Sequence, residues 1–285
     1  MTTTAKDSTF LVQLTDLHIR EPGRLAYGRI DTAPYLERAV QSVLRLPQRP
    51  DAVVITGDLS DFGRAAEYEH LARLLAPLTM PVYLMPGNHD DREQLCRSFP
   101  GHAYLAPGVG AAGFVQYSVR VGALRLLTLD TCVPGESHGA LCDERLAWLE
   151  QQLDASRGEP VVIAMHHPPF QTLIGHMDEI GLLHGTEALE ALVARHGNVE
   201  RVICGHLHRA IDVRFGGTIA STSPAPAHQV CLDLSASAPS AWALEPPGFR
   251  VHAWSAQNRR LVTHLAASGT FEGPFPFHDN GALID

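Results

Sequence analysis

The sequence predicts an α/β fold in which helices pack outside a sheet and the strand ends build a functional site. Three observations carry this. Short, unbroken apolar runs, as strands buried on both faces require, alternate with amphipathic helical segments. Five of these runs end abruptly in a cluster of Asp, Asn or His. A chain of 285 residues with 45% hydrophobic and 19% charged side chains suits one large packed domain with a small appended element, and excludes global disorder.

Phe10 to Leu14 reads as the first strand. Tyr35 to Leu46 reads as a helix, with Leu36, Ala39, Val40, Val43 and Leu44 at helical spacing. Ala52 to Thr56 is a buried strand, Ala65 to Leu78 an amphipathic helix stopped before Pro81, and Val82 to Met85 a strand turned by Pro86-Gly87. Phe114 to Val121 and Leu124 to Asp130 read as two strands joined at Gly122-Ala123. Asp143 to Ala155 and Thr186 to Arg195 are helices, and Val161 to Met165 and Arg201 to Cys204 are strands, with Cys204 in the core. The remainder is strand-rich: Ile211 to Ser221, Cys231 to Leu234, Phe249 to Ser255 and Arg260 to Leu265. Ser235 to Gly248, rich in Ser, Ala and Pro, reads as a long loop.

Twenty-two Lys and Arg against 31 Asp and Glu give a net charge of −9, which argues against a nucleic-acid backbone as partner. Met1 to Thr9 has no apolar signal-peptide core, and no run is long enough to span a membrane. The five cysteines (Cys96, Cys132, Cys142, Cys204 and Cys231) are odd in number and lack CxxC spacing, as reduced thiols in a cytoplasmic protein would be. The unusual number is 16 histidines, because imidazole is the commonest metal ligand and the usual acid–base group.

The polar strand ends are Asp16-Leu17-His18, Gly57-Asp58, Gly87-Asn88-His89-Asp90, His166-His167-Pro168-Pro169 and Gly205-His206-Leu207-His208. Sites in open α/β sheets form at the carboxyl ends of strands, so these loops would converge. In an extended segment residues i and i+2 share a side, which lets Asp16 and His18 hold one ion while Leu17 turns into the core; His206 and His208 repeat the device around Leu207. Gly57, Gly87 and Gly205 would let the chain bend before each ligand. Imidazole nitrogens with carboxylate and amide oxygens, and no thiolate, suit Mn, Fe, Zn or Co. Asp61, Asp90 and Asp91 read as solvated or loop-capping.

These motifs resemble the calcineurin-like metallophosphoesterase superfamily, and within it the bacterial class III phosphodiesterases, which include glycerophosphodiesterases and 3′,5′-cyclic-nucleotide phosphodiesterases. Tyr27-Gly28-Arg29-Ile30-Asp31, Met165 to Pro169 and His228-Gln229-Val230 favour the glycerophosphodiesterase side. The resemblance covers about residues 10 to 230. It implies a four-layer αββα sandwich with a catalytic domain over 1–230, and a C-terminal cap or dimerisation element over 231–285. It implies two divalent ions, one held by Asp16, His18, Asp58 and His208 and the other by Asp58, Asn88, His166 and His206. His89, next to the ligand Asn88 but on the opposite face of an extended loop, is the candidate to stabilise charge or protonate the leaving alkoxide. Ser137, His138 and His228 lie in stretches that overhang such a site, and Ser137 and His228 match substrate-side or supporting positions of the glycerophosphodiesterase pattern.

The expected reaction is direct in-line attack of a metal-bridging hydroxide on a small-molecule phosphodiester, most closely of the glycerophosphodiester type. Two ions of about +4, less two carboxylates and a hydroxide, leave about +1 facing a diester of about −1. A 3′,5′-cyclic-nucleotide phosphodiesterase is the alternative with the same centre. A protein Ser/Thr phosphatase is disfavoured because Asp90 stands where that group carries Glu. The lack of a basic run argues against a DNA repair nuclease, and a complete ligand set against a metal-dead interaction module. Trp242, Phe249, Trp254, Phe271, Phe275 and Phe277 in the tail point to a homodimer or larger homo-oligomer.

Overall fold

The computed structural model describes residues 8–106 and 113–284. The N-terminal stretch called non-secretory therefore lies mostly outside the described residues. β1 (Ser8–Leu14), β2 (Ala52–Thr56) and β3 (Val82–Met85) are parallel, linked by α1 (Ala33–Leu44) and α2 (Ala65–Leu75). α3 (Arg92–Ser98) follows, and then β4 (Tyr117–Val121) and β5 (Leu124–Leu129) form a hairpin. A short β6 (Gly139–Ala140) and α4 (Asp143–Ala155) lead to β7 (Val161–Met165), parallel to β5. After α5 (Gly175–Asp178), β8 (Leu182–His184) and α6 (Thr186–Arg195), β9 (Val199–Cys204) lies parallel to β7. β10 (Ile211–Phe215) and β11 (Thr218–Thr222) form a second hairpin, and β12 (Gln229–Val230) pairs with β13 (Trp242–Ala243). β14 (Gly248–Ser255), β15 (Arg260–Ala267) and the small β16 (His278–Asp279) and β17 (Ala282–Leu283) end the chain.

Two sheets result, in the orders β15-β14-β1-β2-β3 and β10-β11-β9-β7-β5-β4. They stack face to face, and the reason is visible in the strand periodicity. In β2, Val53 and Ile55 face the core beneath α1 and α2, while Ala52 and Val54 face Leu126, Val162 and Ile203 of the opposite sheet. A third core joins the second sheet to α4 and α6 through Leu149, Leu153, Leu189 and Val193. The molecule is therefore an α-β-β-α sandwich, with three apolar layers between four layers of secondary structure.

Most elements fall where their apolar pattern puts them, and the departures have local causes. α1 begins earlier than expected because Pro34 suits the first helical turn. α3 was not anticipated; Asp91 caps it by accepting from Gln94 N at 2.7 Å, and Asp91-x-x-Gln94 is a start signal readable in the sequence. Phe114 to Gln116 stay outside β4, where Val115 N donates to the Asp130 side chain at 2.9 Å and not to a strand. The strand-rich Ile211 to Ser221 is a hairpin turned at Gly216-Gly217. Cys231 to Leu234 is irregular, and the short ladder lies just before it, at Gln229–Val230.

The stretch after residue 230 is not one unit. β14 lies inside the first sheet, antiparallel to β1, with β15 beside it at the edge. Phe249 is 1% exposed in the core under α1, and Trp254 is buried between the sheets. Burying such side chains stabilises the fold by about 1.5–3 kcal/mol each. The sheet therefore needs residues beyond 230, and the peripheral parts of the tail are 231–247 and 268–284. No helix among the described residues is long and apolar enough to cross a membrane.

Candidate metal centre

Strands β1, β2, β3, β7 and β9 all end at the same edge of the sandwich, and the predicted polar clusters meet there. Asp16 and His18 follow β1, Asp58 follows β2, Asn88 and His89 follow β3, His166 follows β7, and His206 and His208 follow β9. Groups of ligand atoms within 4.8 Å of one another include His18, Asp58 and His89; Asp16, Asp58 and His166; and His18 and His208 with His228.

The local backbone differs from the expected extended one. Asp16, His18, Asp58, His206 and His208 all have positive φ, between 45° and 69°. Each costs about 1–2 kcal/mol relative to an ordinary conformation. Tight left-handed turns, not strand alternation, bring each pair of ligands to one side, with Leu17 and Leu207 buried between them. The glycines differ too. Gly57, at φ +91°, makes a turn, whereas Gly87 and Gly205 do not take positive φ and serve by lacking a side chain. A Cβ on Gly87 would stand 2.8 Å from the His166 ring and run into Asp58; one on Gly205 would meet Thr56 O at 2.7 Å and the Asp16 carboxylate.

The hydrogen bonds fix which nitrogen of each imidazole faces the centre. His166 Nδ1 donates to Thr56 O at 2.9 Å, His208 Nδ1 donates to His228 O at 3.0 Å, and His18 Nδ1 donates to Asp61 Oδ1 at 3.1 Å. With the protons on Nδ1, the Nε2 atoms of neutral rings present lone pairs. Those lone pairs face one another and oxygen acceptors. His18 Nε2 lies 3.3 Å from His208 Nε2 and 3.5 Å from Asp58 Oδ2; His208 Nε2 lies 3.5 Å from Asp16 Oδ1; His166 Nε2 lies 3.0 Å from Asn88 Oδ1 and 3.4 Å from Asp58 Oδ2. The buried Nε2 of His206 has no hydrogen-bond partner among the described residues. Converging acceptors without donors are resolved by protons or by cations. The clusters are those of a binuclear divalent metal site.

The charge states agree. Burial alone would lower the His166 imidazole, but the Asp58 carboxylate overcomes it and lifts the group to about 9. His18 is raised too, against burial, by Asp61, Asp58 and Asp16. Burial would raise Asp58, yet the imidazoles of His166, His89 and His18 hold it well below the carboxylate range. Burial keeps His206, His208 and His228 neutral, ready to donate a lone pair.

His89 is turned differently. Its Nδ1 donates to Asp61 O at 2.9 Å, its ring packs edge-on against His18 at 4.7 Å, and its side chain is 34% exposed. His167, adjacent to His166, groups with His166 and His206, but both its ring nitrogens are engaged, by Thr131 Oγ1 and Ser137 O. A cavity of about 230 Å³ covers the cluster; its walls include Tyr27, Ser137, His176, His228 and Trp242. His138 is not a wall of the cavity; its ring lies 6.2 Å from that of His184.

Three features were missed or misread. Asp61, read as solvated or loop-capping, is buried; besides orienting His18 and His89 it accepts from Arg20 at 3.3 Å, and Arg20 in turn bonds the buried Glu67 at 3.0 Å. Trp242 comes from the segment read as a loop, and Tyr27 was noted only for resemblance. Asp90, as a loop cap, was read correctly: it accepts from Leu59 N, Ser60 N, Gly87 N and Tyr68 Oη at 2.9–3.1 Å, clamping the loops after β2 and β3.

A consequence follows for metal uptake. His166 carries a proton at neutral pH in the metal-free protein, and ligation needs it neutral. Loading with Mn(II) at pH 7 should release about one proton per chain into weakly buffered solution. Affinity should rise as pH rises toward about 9, the value of His166. Indicator-dye titration checks both; metal uptake without proton release would show the imidazole to be neutral already.

Residues 11–210 match the family described as calcineurin-like phosphoesterase. The chain is 36% identical over 276 residues to a probable glycerophosphodiester phosphodiesterase of Arcobacter nitrofigilis, covering 96% of this chain and 99% of that one. It is 38% identical over 278 residues to a probable cyclic nucleotide phosphodiesterase of Rhodopseudomonas palustris, covering 95% and 97%. Among solved structures, a dimetal phosphatase from Danio rerio superposes with a TM-score of 0.61 at 17% identity over 92% of this chain and 99% of that one, a likeness of fold. A family match across most of the chain, full-length relatives and a binuclear centre at the strand ends agree: the chain belongs to the calcineurin-like metallophosphoesterases, in their class III phosphodiesterase branch, and is a metal-dependent hydrolase.

Proposed function

We propose that the chain hydrolyses small phosphodiesters, and that open-chain glycerophosphodiesters are its substrates. One observation carries the diester reading: the walls of the cavity over the centre bring imidazoles but no Lys or Arg among the described residues. A phosphomonoester carries about −1.5 to −2 near neutral pH, a diester only about −1. A centre with two ions and no further fixed cation matches the lower charge. The glycerophosphodiester reading is supported by the Arcobacter relative and by the position of Tyr27, His228 and Val230 around the cavity. The Rhodopseudomonas relative supports cyclic nucleotides as the second reading.

In this reading Asp16, His18, Asp58 and His208 hold one ion, and Asp58, Asn88, His166 and His206 the other. The ion pair, when bound, lowers the pKa of water and neutralises charge on the phosphoryl oxygens. The side chains do the rest. Asp16 is anchored by His206 N at 2.9 and 3.1 Å, and Asp58 by His89 N at 3.0 Å, so neither carboxylate is free to swing. His89, fixed by Asp61 through Nδ1, presents Nε2 to the cavity, where it can hand a proton to the leaving alkoxide. Ser137 and His228, which line the cavity, would contact a substrate oxygen. The five free cysteines fit a cytoplasmic location. The exposed Phe271, Phe275 and Phe277, at 67%, 71% and 81%, fit a homodimer or larger assembly.

His89→Ala should retain two metal equivalents by elemental analysis while kcat falls about 10²–10⁴-fold. Loss of metal in that variant would instead make His89 a structural part of the centre. A panel of glycerophosphodiesters, 3′,5′-cyclic AMP, an aryl diester and an aryl monoester tests the substrate class: the highest kcat/KM is expected on a glycerophosphodiester, and a preference for the monoester would overturn the diesterase reading. Sedimentation equilibrium should give at least twice the 31.0 kDa chain mass; a monomer at micromolar concentration would remove the oligomer.

A further inference from the structure

Two cavities flank the β12–β13 ladder. The inner one, about 230 Å³, lies over the metal cluster. The outer one, about 860 Å³, lies between the approach to α1 and the strand carrying Trp242; Arg29, Asp31 and Tyr35 line it from one side and Ala243 and Leu244 from the other. Ser240, Ala241 and Trp242 are walls of both. Pockets that enclose a small ligand usually measure about 300–1,000 Å³. The inner cavity is below that range and must also house two ions, so it takes the phosphoryl group and one small alcohol arm. The other arm has to leave, and the outer groove begins at the shared wall.

The outer groove is not built for a flat base. The Tyr35 ring is already covered by the Arg38 guanidinium at 4.2 Å. Trp242 is held from the inner side by Tyr27, with ring centroids 5.6 Å apart, and by His228, at 5.3 Å. What the groove offers is charge. The Arg29 guanidinium is exposed and has no partner among the described residues. Asp31 uses one oxygen to accept from Ala33 N at 3.2 Å. A cation and an anion on one wall complement an arm that carries both a carboxylate and an ammonium group.

Resting on the diesterase reading above, we infer that the groove behind Trp242 receives the second alcohol arm of an open-chain phosphodiester, and that Arg29 selects arms bearing a carboxylate, as a serine-type zwitterionic headgroup does. Arg29 acts on specificity and touches no reacting atom.

The test compares kcat/KM of the metal-loaded enzyme on glycerophosphoserine and glycerophosphoethanolamine, which differ by one carboxylate. The wild-type enzyme should favour the serine arm. Arg29→Glu should lower the serine-to-ethanolamine ratio about tenfold, mainly through KM. Arg29→Lys, which keeps the charge, should restore most of the preference. Equal changes on both substrates, or an unaltered ratio, would overturn the assignment. A wild-type enzyme that cleaves neither compound but cleaves a monoester would overturn the diesterase reading itself, which is a different result from an unmoved ratio.

Discussion

Asp58 is the point on which the strand-end loops depend. Its carboxylate stands within 3.5 Å of His18 and 3.4 Å of His166, and it accepts from His89 N at 3.0 Å. Its main-chain oxygen accepts from Leu17 N at 2.8 Å and His18 N at 3.0 Å. One residue at the end of β2 thus ties together the turns after β1, β3 and β7, drawn from both sheets. A buried carboxylate is costly unless paired. Here the pairing is with imidazoles that are themselves crowded by acceptors, so the ensemble settles only when positive charge enters it. The metal requirement is therefore built into the fold at the place where the two sheets meet.

The strained turns fit the same logic. Five of the site side chains adopt left-handed backbone conformations that non-glycine residues avoid. At about 1–2 kcal/mol each, this strain is comparable to the whole stability margin of a domain. It persists because the surrounding sandwich is over-determined: Gln13, buried between the sheets, bonds Thr56 Oγ1 at 3.0 Å and Cys204 O at 2.8 Å, linking β1, β2 and β9 just beneath the site. Asp90 holds the loops after β2 and β3 from the helix side. Ligand loops that are rigid before metal arrives lose little freedom on binding it, which is the physical content of preorganisation.

Most of the fold was legible because its strands are buried on both faces and therefore read as unbroken apolar runs. Val53, Val54 and Ile55 show this most plainly, since neither face of β2 meets water. The residues of the centre were legible because Asp, Asn and His at strand ends have few structural reasons to cluster. What escaped has a common cause. Asp61 is one more carboxylate in an acidic chain, and nothing in its neighbours reveals that it orients His18. Trp242 lies in a Pro- and Ala-rich segment whose two-residue strand is too short for any periodicity, and it is held at the site by the β12–β13 pairing and by Cys231 N, which donates to Ala241 O at 2.9 Å. β14 was seen as a strand, but its place beside β1 is a long-range pairing across some 240 residues, which no local pattern encodes.

The net charge of −9 looks unsuited to an anionic substrate until the charges are located. Fields from exposed carboxylates are screened by salt within about 10 Å. The buried centre is screened far less. Two divalent ions beside Asp16 and Asp58 make it locally positive, and the imidazoles held neutral by burial add lone pairs without adding charge. An acidic surface offers a polyanion no basic face to pair with its phosphates, while a small monoanion would feel the centre only once it has entered the cavity. The sign of the whole and the sign of the site are thus opposed, as the proposed action on small phosphodiesters requires.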